Sequence, residues 1–222
     1  MGRLELIIGC MFASKTQQLQ WRVNQERFRY GHTEETPCVE LFKPTMDTRY
    51  TQENQVISHD GVALPCVVAD DTRHILSYVH DHPTLRVLGI DEIQFFDGEI
   101  VSLVQTLLRD RPMHIIATGL NLDFRGEPFC FRDSKEHMGT LMALAHEIKS
   151  LHAICAYVDP AGDPDPKNRC GDPAYYTQRL FPDGKPVPYT DPLILVGGKD
   201  THNDRRYEAR CFQHHFVPGR PW

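Results

Sequence analysis

Four short apolar runs punctuate the chain before residue 120, at residues 4–9, 38–43, 85–91 and 114–119. They are short and largely apolar, the sort of run that central strands of a parallel sheet require when both faces are covered. Around them lie amphipathic, helix-like stretches at residues 15–31, 71–82, 97–110 and 134–149. Gly31 stands where a helix end needs a left-handed cap, and Asp71 and Ser134 stand as N-caps. Strand and helix in alternation predict crossover connections, and hence an α/β fold built on a parallel sheet flanked by helices.

Proline marks where this pattern stops. Eight of the sixteen prolines fall between Asp159 and Pro192, and no helix runs through such a segment. The pattern divides the chain into an α/β domain at residues 1–150 and a loop-rich appendage at 151–222. A piece as small as the appendage rarely stabilises itself without a staple or a metal. There is no internal repeat and no low-complexity segment.

Composition narrows the class. With 222 residues, 41% of them hydrophobic and 24% charged, the chain can bury a full core. The formal charge of −6 argues against a nucleic-acid binder that works by counterion release alone. No stretch approaches the roughly 20 apolar residues of a membrane span. The apolar run near the start is interrupted by Glu5 and preceded only by Arg3, so it does not read as a signal peptide. Leu6 stands where the myristoylation pattern needs Ser or Thr. Seven cysteines in a chain of this length point to a reducing, cytoplasmic setting. There, clustered thiols hold metal and isolated ones, such as Cys38 and Cys66 in short apolar runs, pack as small hydrophobes.

Gly9-Cys10-Met11-Phe12-Ala13-Ser14-Lys15-Thr16 follows an expected strand and opens an expected helix, the context of a phosphate-binding P-loop. Ser14 replaces the usual glycine. In this reading Lys15 neutralises the β and γ phosphates and the Thr16 hydroxyl ligates Mg²⁺; the alternative is an ordinary strand-to-helix turn. Val87-Leu88-Gly89-Ile90-Asp91-Glu92 is an apolar strand ending in two acids. Such an end places one carboxylate, Asp91, near Mg²⁺. On an extended backbone Glu92 points the other way, toward a substrate hydroxyl; the alternative is a solvated acidic strand end.

Cys155, Cys170, Cys211 and His214 gather in the appendage, and Cys211-Phe212-Gln213-His214 has the Cys-x₂-His spacing of half a tetrahedral zinc site. A closed Cys₃His shell would be structural rather than catalytic. The gap from Cys155 to Cys170 is far longer than usual, and its prolines and aspartates suit a solvated excursion whose ends return to one place. His215 competes as the fourth ligand, and buried thiols beside surface histidines are the alternative to a metal. Phe124 follows the strand end at Gly119, where ligands gather in open parallel sheets, and reads either as core or as a ring that stacks on a base. Asp47-Thr48-Arg49-Tyr50 and Ser58-His59-Asp60-Gly61 read as polar turns.

Together these residues make the sequence resemble the type II (cytosolic) thymidine kinases along essentially its whole length. The matching segments include Gly9 to Thr16, Phe42-Lys43-Pro44, Gly89-Ile90-Asp91-Glu92-Ile93-Gln94-Phe95-Phe96, Thr177-Gln178-Arg179-Leu180, Val196-Gly197-Gly198 and Tyr207-Glu208-Ala209-Arg210-Cys211. The resemblance implies a P-loop (RecA-like) sheet with a small zinc-anchored lasso domain, and transfer of the ATP γ-phosphoryl group to the 5′-hydroxyl of thymidine in a cytoplasmic homotetramer. It implies that Glu92 is the general base, that Asp91 and Gln94 lie near metal and nucleotide, and that Asp47 and Arg49 contact the phosphate donor. Phe124 matches a ring that stacks on thymine. Leu195, Val196, Gly197, Gly198, Lys199 and Tyr207 match segments that grip base and sugar. Cys155, Cys170, Cys211 and His214 match the zinc ligands. The chain departs from the family pattern at Ser14, in the insertion between Cys155 and Cys170, and in an extra stretch at residues 200–206. A weakened or non-catalytic nucleotide-binding relative and a P-loop phosphotransferase with another acceptor are the competing readings.

Overall fold

The computed structural model describes residues 2–33, 35–45, 54–58, 60–159, 168–194 and 205–221. In chain order its first half runs β1 (Arg3–Ile8), α1 (Lys15–Tyr30), β2 (Val39–Pro44), β3 (Gln55–Ile57), β4 (Ala63–Pro65), β5 (Val67–Ala69), α2 (Thr72–Asp81) and β6 (Val87–Ile90). A 3-10 turn (Ile93–Phe95), α3 (Ile100–Arg109), β7 (His114–Gly119), α4 (Met138–Leu144) and β8 (Glu147–Ser150) complete the larger body. The remainder carries β9 (Ala153–Ile154), β10 (Pro173–Ala174), β11 (Tyr176–Leu180), β12 (Arg206–Arg210) and a second 3-10 turn (Phe212–His214).

Six strands form one sheet in the order β5-β2-β6-β7-β1-β8, and every pairing in it is parallel. The four apolar runs of the sequence are its central strands β1, β2, β6 and β7. Side chains alternate between two cores, as strand geometry requires. Leu4, Leu6 and Ile8 of β1 face a cluster that includes Ile75 and Val79 of α2 and Val104 of α3. Ile7 faces the other way, against Leu19 and Val23 of α1. Gly89 lets α1 approach the sheet: a Cβ there would lie 2.7 Å from a Val23 methyl and 2.9 Å from a Leu41 methyl.

Gly31 caps α1 in the left-handed conformation, and the Asp71 side chain accepts from the His74 N–H at 3.0 Å at the start of α2. The expected helix over 134–149 is corrected. Only Met138–Leu144 is helical, the cap residue is His137 rather than Ser134, and Glu147–Ser150 forms the edge strand β8. All four residues of β8 are exposed. An edge strand without a buried face carries no apolar run, so it is invisible to a reading based on hydrophobic pattern.

The appendage has two short antiparallel pairs, β9 with β10 and β11 with β12. It packs directly on the loop after β1 through small side chains: Cys10 and Ala13 meet Ala153, Ala174 and Ala209. Among the described residues no helix is long and apolar enough to cross a membrane.

Candidate active site

The loop after β1 is shaped by residues with positive φ. Gly9 has φ 154°, and a Cβ there would fall 2.4 Å from the Leu151 carbonyl oxygen, so the position excludes any side chain. Phe12 and Ser14 follow at φ 67° and 58°. Left-handed residues in such a loop are the backbone means of making a concave anion site. Lys15 opens α1, is buried, and donates to the Cys10 carbonyl at 2.8 Å. The Met11 N–H donates to the Thr177 hydroxyl at 3.0 Å, and the Cys10 thiol lies 3.2 Å from the Ala174 carbonyl oxygen. The loop is thereby tied to the appendage.

Topology brings the second half of the site to this loop. β7 lies between β1 and β6, so the C-terminal ends of the three strands stand side by side. Thr16 at the head of α1 donates to an Asp91 carboxylate oxygen at 3.1 Å. Thr118, the penultimate residue of β7, donates to the other oxygen of the same carboxylate. Thr118 belongs to neither sequence motif. Its signal is positional, since it is the last hydroxyl on the strand between the two motifs.

Glu92 does not follow Asp91 on an extended backbone. β6 ends at Ile90, and Glu92 takes a left-handed conformation, φ 46° and ψ 47°, at the entry to the 3-10 turn. Its N–H donates to Asp91 Oδ1 at 3.1 Å. Its buried carboxylate accepts from Gln94 Nε2 at 2.6 Å, and Gln94 Oε1 accepts from the Leu120 N–H at 3.1 Å. Gln94 thus contacts Glu92 and the strand end beyond β7. A non-glycine residue at positive φ next to a cleft is a position that the surrounding structure must enforce.

Phe124 sits in a turn organised by the buried Asp123 carboxylate, which accepts from the Arg125 and Glu127 N–H groups at 2.8 and 3.0 Å. Burial pushes that carboxyl above the usual range. The Phe124 ring is itself buried against Val187 and Val217, with the Arg179 guanidinium 4.1 Å from its centroid. Tyr207 lies on β12, also within reach of Arg179, at 5.4 Å. Ser58 and Gly61 close the turn between β3 and β4, and Asp60 accepts from Gln17 of α1 at 2.7 Å. Asp47, Arg49, Leu195, Val196, Gly197, Gly198 and Lys199 lie outside the described residues.

The four candidate metal ligands converge. The ligand atoms of Cys155, Cys170, Cys211 and His214 all lie within 4.8 Å of one another. His214 Nδ1 is 3.3 Å from Cys211 Sγ and 3.7 Å from Cys155 Sγ, and Cys170 Sγ is 3.9 Å from Cys211 Sγ. A tetrahedral zinc with Zn–S bonds of about 2.3 Å has edges of about 3.8 Å, so the donor set fits the ion. The long gap is closed as the sequence suggested. Val158 bridges to Arg169, and the Cys170 N–H donates to the Tyr157 carbonyl at 3.0 Å, which returns Cys170 to Cys155. His215 is not a ligand here: its Nε2 is 2.9 Å from the Phe124 carbonyl oxygen, and its ring stacks on Tyr176.

The electrostatics of the cluster also suit a cation. Burial opposes ionisation of Cys155, but main-chain hydrogen bonds at Cys211 and Tyr157 and the His214 ring lower its thiol to about 7. At Cys170 a main-chain hydrogen bond at Asp172 favours the thiolate. Burial and the neighbouring Cys155 and Cys211 sulfurs outweigh it and push the thiol up to about 12. Neighbouring thiolates repel, and a divalent ion at their centre removes that repulsion.

Comparison with known proteins points the same way as this geometry. The family model described as thymidine kinase matches residues 2–215. The chain is 42% identical over 219 residues to the thymidine kinase of Coprothermobacter proteolyticus, an alignment that covers 99% of this chain and 93% of that protein. A P-loop facing an acidic strand end, a cysteine and histidine cluster behind it, and a match across nearly every residue lead to one assignment: the chain belongs to the thymidine kinase family.

Proposed function

We propose that the protein transfers the γ-phosphoryl group of ATP to the 5′-hydroxyl of thymidine, giving dTMP and ADP. The observation that carries this reading is the juxtaposition of Lys15, Thr16, Asp91 and Glu92 beyond the C-terminal ends of β1 and β6, the two strands that flank β7. Phosphoryl transfer needs mainly positioning and charge neutralisation, and this set provides both. Residues 9–16 cradle the triphosphate, with Lys15 against its β and γ groups. Asp91 and Thr16 are the groups that would hold Mg²⁺, which when bound spreads the charge of the β and γ oxygens. Glu92 accepts the proton of the 5′-hydroxyl as the oxygen attacks phosphorus and the bond to the ADP oxygen breaks. Gln94, which donates to Glu92, orients that carboxylate.

Phe124 and Tyr207, with residues 195–199, form the nucleoside side, and Asp47 and Arg49 contact the phosphate donor. Residues 1–150 act as the ATP-binding domain and 151–222 as the lasso domain. Cys155, Cys170, Cys211 and His214 hold one structural zinc per chain; as a closed shell it leaves no position for substrate. The enzyme works in the cytoplasm as a homotetramer and supplies dTMP for DNA synthesis.

The test is incubation of purified protein with ATP, Mg²⁺ and each natural deoxynucleoside in turn. The proposal expects dTMP from thymidine as the dominant product. A different monophosphate would assign another acceptor, and binding of ATP without any transfer would favour the non-catalytic reading.

A further inference from the structure

The two rings that the proposed function gives to the nucleoside, Phe124 and Tyr207, and the main chain at residues 192–193 meet on one buried cation, Arg179 of β11. Its guanidinium pairs with the Asp191 carboxylate at 3.2 Å. It also donates to the carbonyls of Pro192 at 2.5 Å and Leu193 at 2.7 Å, where the chain leads toward residues 195–199. The same guanidinium covers the Phe124 ring and reaches the Tyr207 ring. Only 4% of Arg179 is exposed. The second Asp191 oxygen accepts from Arg205 at 3.1 Å. One carboxylate therefore anchors the chain at 191–193 and again at 205, and Arg205 belongs to the stretch that departs from the family pattern.

We propose that Arg179 and Asp191 form a positioning pair for the nucleoside: the pair sets the two rings and the 192–193 main chain relative to one another without touching the reacting phosphorus. The inference rests on thymidine being the acceptor. Two arguments favour a positioning role over simple stabilisation. A buried ion pair adds little net stability over an apolar pair of the same volume, so what it adds is geometric definition. The contacts also demand a planar fork, with edge donors for a carboxylate and two carbonyls and a face for an aromatic ring, which an ammonium group does not offer.

The wild-type enzyme is assayed first with Mg·ATP and thymidine, then Arg179→Lys, Arg179→Met and Asp191→Asn under the same conditions. Zinc content and ATP affinity serve as the folding control. The expected result is a rise of about tenfold or more in KM for thymidine, with KM for ATP and kcat changed less than about twofold. The thymidine-induced rise in melting temperature should shrink in parallel while the ATP-induced rise persists. Should Arg179→Met fail to fold, the nearly isosteric Asp191→Asn decides. An unchanged KM for thymidine in an active, folded variant overturns the inference, and so does an equal rise in both KM values. A wild-type enzyme that makes no dTMP overturns the acceptor assignment itself, which separates the two failures.

Discussion

Ser14 holds the backbone at φ 58° and ψ 27° immediately before α1. A residue with a Cβ spends about 1–2 kcal/mol in that conformation relative to the right-handed one, whereas glycine enters it freely. Glycine also has more freedom to lose on folding, which offsets part of the gain. Ser14→Gly should therefore stabilise the protein by up to about 1 kcal/mol in urea unfolding, without weakening ATP binding measured by titration calorimetry. A destabilised variant would mean that the serine side chain contributes something the backbone argument omits. The contrast with Gly9 is instructive, because there the obstacle is steric: the Leu151 carbonyl occupies the space a side chain would need.

Among the elements, β1, α1 and β7 share a partly buried charge cluster at the end of the sheet remote from the loop. Arg22 of α1 donates to both oxygens of Glu5 at 2.9 and 2.8 Å and lies 3.3 Å from the fully buried Glu26, while the His114 ring stands 3.5 Å from Glu5. Burial raises the Glu5 carboxyl, but the neighbouring His114 ring and the hydrogen-bonded Arg22 guanidinium overcome it and lower it from 4.5 to about 2. A carboxyl lowered in the folded state contributes stability that is complete above pH 4.5 and disappears as pH falls toward 2. The shift corresponds to about 3 kcal/mol. In urea unfolding across this range, Glu5→Gln should be less stable than wild type near neutral pH, and the gap should close as the solution is acidified. A gap that stays constant would show that Glu5 acts through packing instead of charge.

The same elements show what the sequence makes legible. Strands β1, β2, β6 and β7 are apolar because both faces are covered, and β7 runs over His114–Gly119 as expected. The exposed strand β8 and the hairpin of β3 and β4 lack that signature, β5 is an apolar run of only three residues, and pairing in space defines them all. In the candidate site, Gly9 to Thr16 and Asp91 to Glu92 are legible because their residue types sit at strand ends. The left-handed turn at Glu92 and the convergence of Thr118 on Asp91 are not, since both depend on how β6 ends and which strand lies beside it. The cysteine and histidine cluster is legible in membership but not in assembly, which needed the pairing of Val158 with Arg169 to bring Cys170 home.

Across the whole molecule, residues 151–222 support the loop after β1 through small side chains, so a metal at the cysteine and histidine cluster would matter for the active site as well as for its own surroundings. Cys10 and Ala13 pack against residues that flank Cys155 and Cys211, and Met11 is tied to Thr177. Metal analysis should find one zinc per chain. Removal by a strong chelator should lower the melting temperature and weaken nucleotide binding together, because the loop after β1 loses its support. Full retention of both properties after zinc is gone would refute a structural role for the ion.

The central claim is that Glu92 faces the loop of residues 9–16 across the reacting oxygen and takes its proton. Transfer of label from γ-labelled ATP to thymidine, measured in a single turnover for wild type and Glu92→Gln at matched ATP occupancy, tests it most directly. The account predicts a fall of about 10²–10⁴-fold in the transfer rate with ATP affinity essentially unchanged; a variant that transfers label at the wild-type rate would contradict it.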